Sequence, residues 1–400
     1  MSRAFENIKV VDFSQVLAGP FATQQLAFLG ANVIKVESRG VGEGGRHIRS
    51  RSDRSPENMS SVFLSVNAGK RSMTLDLKNP LAKDVVRRLA HDADVVIQNF
   101  KVGVIERLGF GYDEVRKFNP NVVYCSISGY GQVGPNAGAA AYDPAIQSAS
   151  GMMQLVGTDA SGPLRTGFPL VDMATGLTGA IAIMGALYRR KETGRGQFLD
   201  VAMMDSAMAL LAFPYMQFQQ TGEEPERLGN GSQLKTPTAD VFSTSVGHIQ
   251  ITALTDKQVG ALLQTLGLTA LLEDPRFANA DQRSTHRHEM HALLEAQFKQ
   301  RPAREWEKML AANGVPASAV LTLPETLAHE QLQHRNFLQH LTPTGSDQPI
   351  RLFNAAYGAS EDGPEVALPP PAVGEHTDAI LSEAGFSDDE IAGLRAAKVI

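Results

Sequence analysis

Asp172, in the segment RTGFPLVDMATGLTGAIAIMGAL, stands just ahead of a run of small and apolar residues that reads as a helix. A carboxylate there has two uses. It can cap the first turn by accepting orphan N–H groups, or it can react, if its ionisation is tuned. Burial would raise its pKa while hydrogen bonds or the helix end would lower it, so the residues alone leave both readings open. Upstream, Tyr142, Asp143 and Gln147 in YDPAIQSASG form a second polar group, although Asp143 before Pro144 equally suits the start of a turn or helix. Asn99, Phe100 and Lys101 in QNFKVGVIERLGF bring an amide, an aromatic face and an ammonium to the end of an expected strand. Such a set can hold a base, an amide or a phosphate.

Arg46, Arg49, Arg51, Arg54, Lys70 and Arg71 supply cations in two segments beside strands. Arginine pairs well with phosphate, and a solvated charged face is the competing reading. Cys125 in NVVYCSISGY reads as a core residue of a buried strand, with no histidine or helix start near it to activate a thiol. His286 and His288 lack the cysteine or carboxylate pattern of a metal site and are expected at the surface or in helix packing. No G-x-G-x-x-G follows the first strand, and G-x-x-x-x-G-K-[ST], H-E-x-x-H and G-x-S-x-G do not occur. Those gaps weaken dinucleotide, nucleotide-hydrolysis, zinc-protease and esterase readings without excluding them.

The elements that must position these groups repeat one plan. IKVVDFSQVLAGPFATQQLAFLGANVIKVE and SMTLDLKNPLAKDVVRRLAHDADVVIQNF each read strand, helix, strand within about 30 residues, the size of a parallel βαβ unit. The second unit predicts a strand over 73–77, a helix opening at Asn79-Pro80 and a strand over 93–98. The fold class is therefore α/β, with a doubly wound or Rossmann-like large domain whose ligands lie beyond the carboxyl ends of its strands. ESRGVGEGGRHIRSRSDR reads as a loop. The apolar stretch from Met173 to Tyr188 falls short of a membrane span and is expected to be a buried helix, stopped before Gly194 and Gly196. The expected division is a large domain over 1–224, a smaller α+β domain over 225–335, and a linker and C-terminal return over 336–400.

The chain's 400 residues carry 37 Lys and Arg against 43 Asp and Glu, a formal charge of -6, with 43% hydrophobic residues and one cysteine. That composition supports a folded globular protein, gives no reason to expect nucleic acid as partner, and excludes an intramolecular disulfide framework. No basic start followed by an apolar stretch marks a secretory signal. A cytoplasmic location is expected, with no membrane partner.

Several segments in order, VVDFSQVLAGPFATQQLAFLGANVIKVE, KRSMTLDLKNP, NFKVGVIERLGFGYD, YDPAIQSASG, LVDMATGLTGAI and YRRKETGRGQFLDVAMMDS, resemble the class III CoA-transferase family, also called the CaiB/BaiF family. The later EDPRFANADQRSTHRHEM and ANGVPASAV look like its smaller domain. The resemblance implies a Rossmann-like large domain, a smaller mixed domain, and a homodimer of two interlocked ring-like subunits. It implies no tightly bound cofactor or metal, with a coenzyme A thioester and a small carboxylic acid as substrates. Asp172 matches the family's reactive aspartate, which passes through an aspartyl anhydride and an aspartyl-CoA thioester. The matching CoA positions are Leu17 and Ala18 of the Ala-Gly-Pro turn, Arg39 before the basic loop, Met73, Thr74 and Leu75, then Asn99, Phe100, Lys101 and Arg107. Leu17, Tyr142, Asp143 and Gln147 are the implied active-site supports.

Two other readings stay in view. An α-methylacyl-CoA racemase on this fold places a histidine before its first important aspartate, where this chain has Tyr142 before Asp143. A noncatalytic CoA-binding protein is the other. Formyl-CoA transferases resemble the opening turn but carry a glutamine where Leu17 stands, and their glycine-rich lid is not reproduced by GNGSQLKTP, with Gly229, Gly231, Ser232 and Gln233. A small dicarboxylate such as succinate, mesaconate, itaconate or glutarate is the expected acid.

Overall fold

A computed structural model describes residues 3–52 and 55–400. Its chain divides into two compact units, one of 1–152, 166–213 and 330–400, the other of 153–165 and 214–329.

The first unit is built on six parallel strands: β1 (Lys9–Asp12), β2 (Asn32–Glu37), β3 (Lys70–Thr74), β4 (Val95–Gln98), β5 (Val123–Ser128) and β6 (Gln197–Ala202). They lie in the order β3-β2-β1-β4-β5-β6, the arrangement of a doubly wound dinucleotide-binding sheet, with its crevice where the order reverses beside β1. Alternate residues of the β-branched strands serve opposite faces. Val10, Val33, Val95, Val123 and Cys125 pack with Ala22 and Leu26 of α1 (Ala18–Phe28), while Val11, Ile34, Met73, Val96 and Tyr124 pack with Val85, Val86 and Leu89 of α2 (Ala82–His91). The C-terminal helices Thr377–Glu383 and Asp388–Ala396 add Ile380, Leu381 and Leu394 to the second face.

Two further helices bear on the site: α3 (Asp143–Ala149) and α4 (Leu170–Thr193). α4 is longer than its apolar stretch predicts. Its 24 residues are long and apolar enough to cross a membrane on those two criteria alone, which corrects the expectation that it falls short. Its face of Val171, Thr175, Gly176, Gly179, Ala180, Ile183, Ala186 and Leu187 is buried, and Ile183 and Leu187 join the sheet core with α1. The helix stops at Gly194, whose φ of 64° is the left-handed C-cap that glycine adopts without strain.

The second unit has a three-stranded antiparallel sheet, β7 (Val241–Ser243), β8 (His248–Ile251) and β9 (Ala317–Ala319). Its core sets Phe242, Ile249, Leu262, Leu294, Phe298 and Trp306 together. The units differ from the expected division over 1–224, 225–335 and 336–400 in three pieces: 153–165 and 214–224 belong to the second unit, and 330–335 to the first. Residues 153–165 form the hairpin of Gly157–Thr158 with Gly162–Pro163, and Gly229 N–H donates to the Gly157 carbonyl at 2.7 Å. That tertiary bond has no counterpart in local sequence pattern.

Smaller differences have local causes. The predicted 73–77 strand lies at Lys70–Thr74. The helix after it begins at Ala82, because Asn79 spends its side chain on a turn, its Oδ1 accepting Leu81 N–H at 3.1 Å. The loop after β2 contains a short 3-10 helix, Gly44–His47, capped by the Glu43 side chain.

Candidate active site

A cleft of about 390 Å³ opens at the carboxyl edge of the six-stranded sheet. Gln15, Val16, Leu17 and Ala18 from the β1–α1 turn line it, with Asn99, Phe100 and Lys101 after β4, Ile127 to Tyr130 at the end of β5, and Tyr142, Asp172 and Met203. The segments that sequence order keeps apart meet because parallel strands deliver all their carboxyl ends to one edge.

Asp172 is the third residue of α4 and does not cap it. Pro169, at the N-cap, offers no side-chain bond. The cap comes from another helix: Asp143 Oδ2 accepts Val171 N–H at 2.7 Å and Asp172 N–H at 3.1 Å. Gln147 steadies that carboxylate by donating from Nε2 to Asp143 Oδ1 at 2.5 Å, and it is tied in turn to Thr166 N–H at 2.9 Å and to Thr166 Oγ1 at 2.8 Å. Asp143 and Gln147 are buried, so Gln147 acts from behind the cleft wall. The Asp172 carboxyl is left in a poorly solvated place beside a like charge. Burial first, and then the Asp143 anion, push its pKa up to about 7. Those effects outweigh the favourable amino end of its own helix.

The distance between Asp172 and the β1–α1 turn is set by glycines. Gly176 lies one turn along α4 from Asp172, on the same face. A Cβ at Gly176 would meet the Ala18 carbonyl oxygen at 2.7 Å and Phe21 Cβ at 3.1 Å, and one at Gly179 would meet Ile127 Cδ1 at 3.3 Å. α4 therefore lies directly against the first turn of α1. Asn99 spends its amide on the same turn, accepting Gln15 N–H and donating to the Gln15 carbonyl, both at 2.8 Å. It is a scaffold for the turn, while Phe100, Lys101 and the largely exposed Tyr142 remain in the cleft wall.

Other expected ligand residues lie elsewhere. Met73 and Leu75 are core residues, fully buried with α2 and the C-terminal helices, and Thr74 N–H donates to Thr377 Oγ1 at 3.2 Å. Arg39 is exposed and donates from Nε to the Ile400 carbonyl at 2.7 Å. Arg107 is exposed on the short helix Val104–Leu108 and does not line the cleft.

The basic cluster is also corrected. Arg46 is fully buried, its guanidinium paired with Glu37 at 2.6 and 2.7 Å and stacked 3.5 Å from the Phe63 ring centroid. Lys70 is buried against Asp12 at 3.2 Å, and burial brings its pKa down to about 7. Arg71 pairs with Glu383, Arg49 donates to the Ser55 and Pro56 carbonyls, Arg51 is exposed, and Arg54 lies outside the described residues. Carboxylates from other segments neutralise Arg46, Lys70 and Arg71, which a count of arginines does not reveal.

Cys125 is buried on β5 and burial pushes its thiol up to about 12, so it packs and does not react at neutral pH. His286 bonds Glu289 at 3.1 Å and His288 is exposed. Among the described residues no group of three or more His, Cys, Asp or Glu is placed to hold a metal ion. Sequence reasoning missed Ser128, Gly129 and Tyr130. Their signal was available in SISGYG, the end of a strand whose carboxyl edge faces the ligand side.

A family model described as CoA-transferase family III matches residues 5–377. An acyl-CoA transferase of Fusarium pseudograminearum is 35% identical over 405 residues, covering 99% of this chain and 88% of the relative. A succinyl-CoA:glutarate CoA-transferase of Mus musculus is 32% identical over 382 residues, covering 95% and 86%. The crystal structure of a CAIB/BAIF family protein from Brucella suis superposes with a TM-score of 0.86 at 34% identity, covering 96% of this chain and 100% of that one. With a match over nearly the whole chain and a shared α/β architecture, this protein belongs to the CaiB/BaiF class III CoA-transferases, a family of enzymes.

Proposed function

We propose that Asp172 carries CoA from an acyl-CoA donor to a small dicarboxylate. The observation that carries this reading is a carboxyl group in the sheet-edge cleft whose pKa is raised to about 7 by burial and Asp143. Ionised but poorly solvated, such a carboxylate is a better nucleophile than one in water.

Asp172 attacks the donor thioester carbonyl, the C–S bond breaks, and CoA leaves as thiolate from a mixed anhydride. The thiolate then attacks the aspartyl carbonyl, which releases the donor acid and leaves an Asp172–CoA thioester. The acceptor carboxylate attacks that thioester and expels the thiolate, giving a second anhydride. Thiolate attack on the acceptor's acyl carbon forms the product thioester and restores the Asp172 carboxylate. Each step exchanges one acyl bond for another, with no net proton or electron transfer.

A dicarboxylate acceptor is supported by the mouse glutarate relative and by Lys101, an exposed ammonium in the cleft wall able to meet a remote carboxylate. Leu17 in place of an amide argues against oxalate formation from formyl-CoA. An interlocked homodimer is part of the proposal, supported by the exposed apolar residues Leu177, Ile181 and Tyr188 of α4 and Met208, Leu210 and Phe213 beyond β6. Light scattering on the purified protein tests the dimer.

Transfer is tested by exchange of labelled CoA between acyl-CoA donors and a panel of free acids, with hydroxylamine trapping of the acyl group on Asp172. Asp172→Asn is expected to abolish exchange and trapping while CoA binding persists. Normal transfer by that variant overturns the assignment. α-Proton exchange without acid-dependent transfer indicates racemase chemistry instead, and CoA binding without turnover or adduct across the panel indicates a binding protein.

A further inference from the structure

Val16 has a φ of 68°, and among the described residues it is the one β-branched residue in the left-handed region. A β-branched side chain clashes with its own backbone there, and the conformation persists only where surrounding structure enforces it. The enforcement is visible. Glu43 Oε2 accepts Val16 N–H at 3.0 Å, Lys35 Nζ donates to the Ser14 carbonyl at 2.9 Å, and the Asn99 amide holds both backbone groups of Gln15. Three consecutive residues are thus clamped by side chains from three separate segments.

Glu43 is the centre of the clamp. Its Oε2 also accepts Gly45 N–H at 2.7 Å, while Oε1 has no hydrogen-bond partner and lies 3.7 Å from Lys35 Nζ. Both side chains are buried. An oxygen without a hydrogen bond that deep is costly, and the Lys35 ammonium is the group placed to offset it. What the clamp sets is the next two residues, Leu17 and Ala18, which line the cleft with Asp172.

We propose that Glu43 is a positioning residue for the transfer reaction: through Val16 it fixes the left-handed turn that presents Leu17 and Ala18 to Asp172. The inference rests on the transfer reading of Asp172. Glycine adopts positive φ freely, so Val16→Gly removes the need for the clamp.

The test compares Glu43→Gln, Glu43→Gln with Val16→Gly, and Arg46→Lys, which perturbs the same buried charges at Glu37 without touching the turn. Glu43→Gln is expected to lower kcat about 10–100-fold, as a misplaced catalytic wall does, and to weaken CoA binding by calorimetry as Leu17 and Ala18 shift. Adding Val16→Gly restores most of kcat, and Arg46→Lys loses stability while keeping kcat. Equal kcat losses in Glu43→Gln and Arg46→Lys, or no rescue by Val16→Gly, overturn the proposal. Should Glu43→Gln fail to fold, Glu43→Asp keeps the charge and shortens the reach to Val16; unchanged kcat in it also overturns the proposal. Hydroxylamine trapping separates the two levels. No adduct in the wild type sinks the transfer reading and the clamp's purpose with it, whereas wild-type adduct with undiminished formation in the Glu43 variants sinks the clamp alone.

Discussion

The Asp143 carboxylate closes the amino end of the helix that carries Asp172, accepting the N–H groups of Val171 at 2.7 Å and of Asp172 itself at 3.1 Å. One residue therefore does two opposed things. It anchors the backbone of Asp172, and its charge raises the pKa of the Asp172 side chain.

That coupling fixes a pH dependence. With Asp172 titrating at about 7 and acting as the carboxylate, kcat/KM rises with pH through about 7 and levels off above it. Asp143→Asn removes the like charge and keeps a capping oxygen, so the midpoint moves to lower pH. A pH–rate profile whose midpoint stays put or rises contradicts the coupling.

A raised pKa also costs stability. Asp172 takes up its proton more tightly folded than unfolded, so its contribution is fully present below the ordinary carboxylate range and is lost as pH rises through about 7. Asp172→Asn is expected to stabilise the protein at pH 8 by an amount on the order of 1–3 kcal/mol, and by less at pH 5. Thermal melts at the two pH values check this; an equal gain at both removes ionisation as the cause.

Gly176→Ala places a methyl 2.7 Å from the Ala18 carbonyl oxygen. α4 must move off α1, carrying Asp172 away from Leu17 and Ala18. The expected result is a kcat loss of about 10–100-fold with CoA affinity largely retained. Wild-type kcat in a folded variant shows that the helix spacing does not position Asp172.

Burial raises the pKa of Glu37, and the hydrogen bonds and charge of Arg46 and Lys35 more than reverse it, leaving Glu37 below its usual range. Arg46→Met strands that carboxylate and costs about 3–5 kcal/mol at neutral pH, whereas Arg46→Met with Glu37→Leu recovers much of the loss. Because the depressed pKa stabilises above the unfolded value, the wild type loses this contribution as pH falls through the acid range. Urea unfolding of both variants decides the matter; a mild single variant refutes the internal pairing.

Short β-branched runs at β1 and β4 and the strand–helix–strand lengths made the large unit's sheet legible, because parallel strands buried on both faces are written as continuous apolar runs. The family motifs pointed to Asp172, Leu17, Ala18, Asn99, Phe100 and Lys101, all of which line one cleft. Arg46 and Lys70 show where such reading stops. Their types suit phosphate equally well, and the carboxylates that neutralise them, Glu37 and Asp12, are 9 and 58 residues away in sequence.

The sequence by itself determined the parallel α/β plan, the stop of α4 at Gly194, the inert strand position of Cys125 and the family, since each is carried by local pattern or motif order. Only the tertiary structure decided that Asp143 caps the helix of Asp172, that Asn99 and Glu43 serve the β1–α1 turn, and that Arg46 and Lys70 face inward. Those relations depend on which strand ends meet at one sheet edge and which buried charges pair there. Backbone topology sets both.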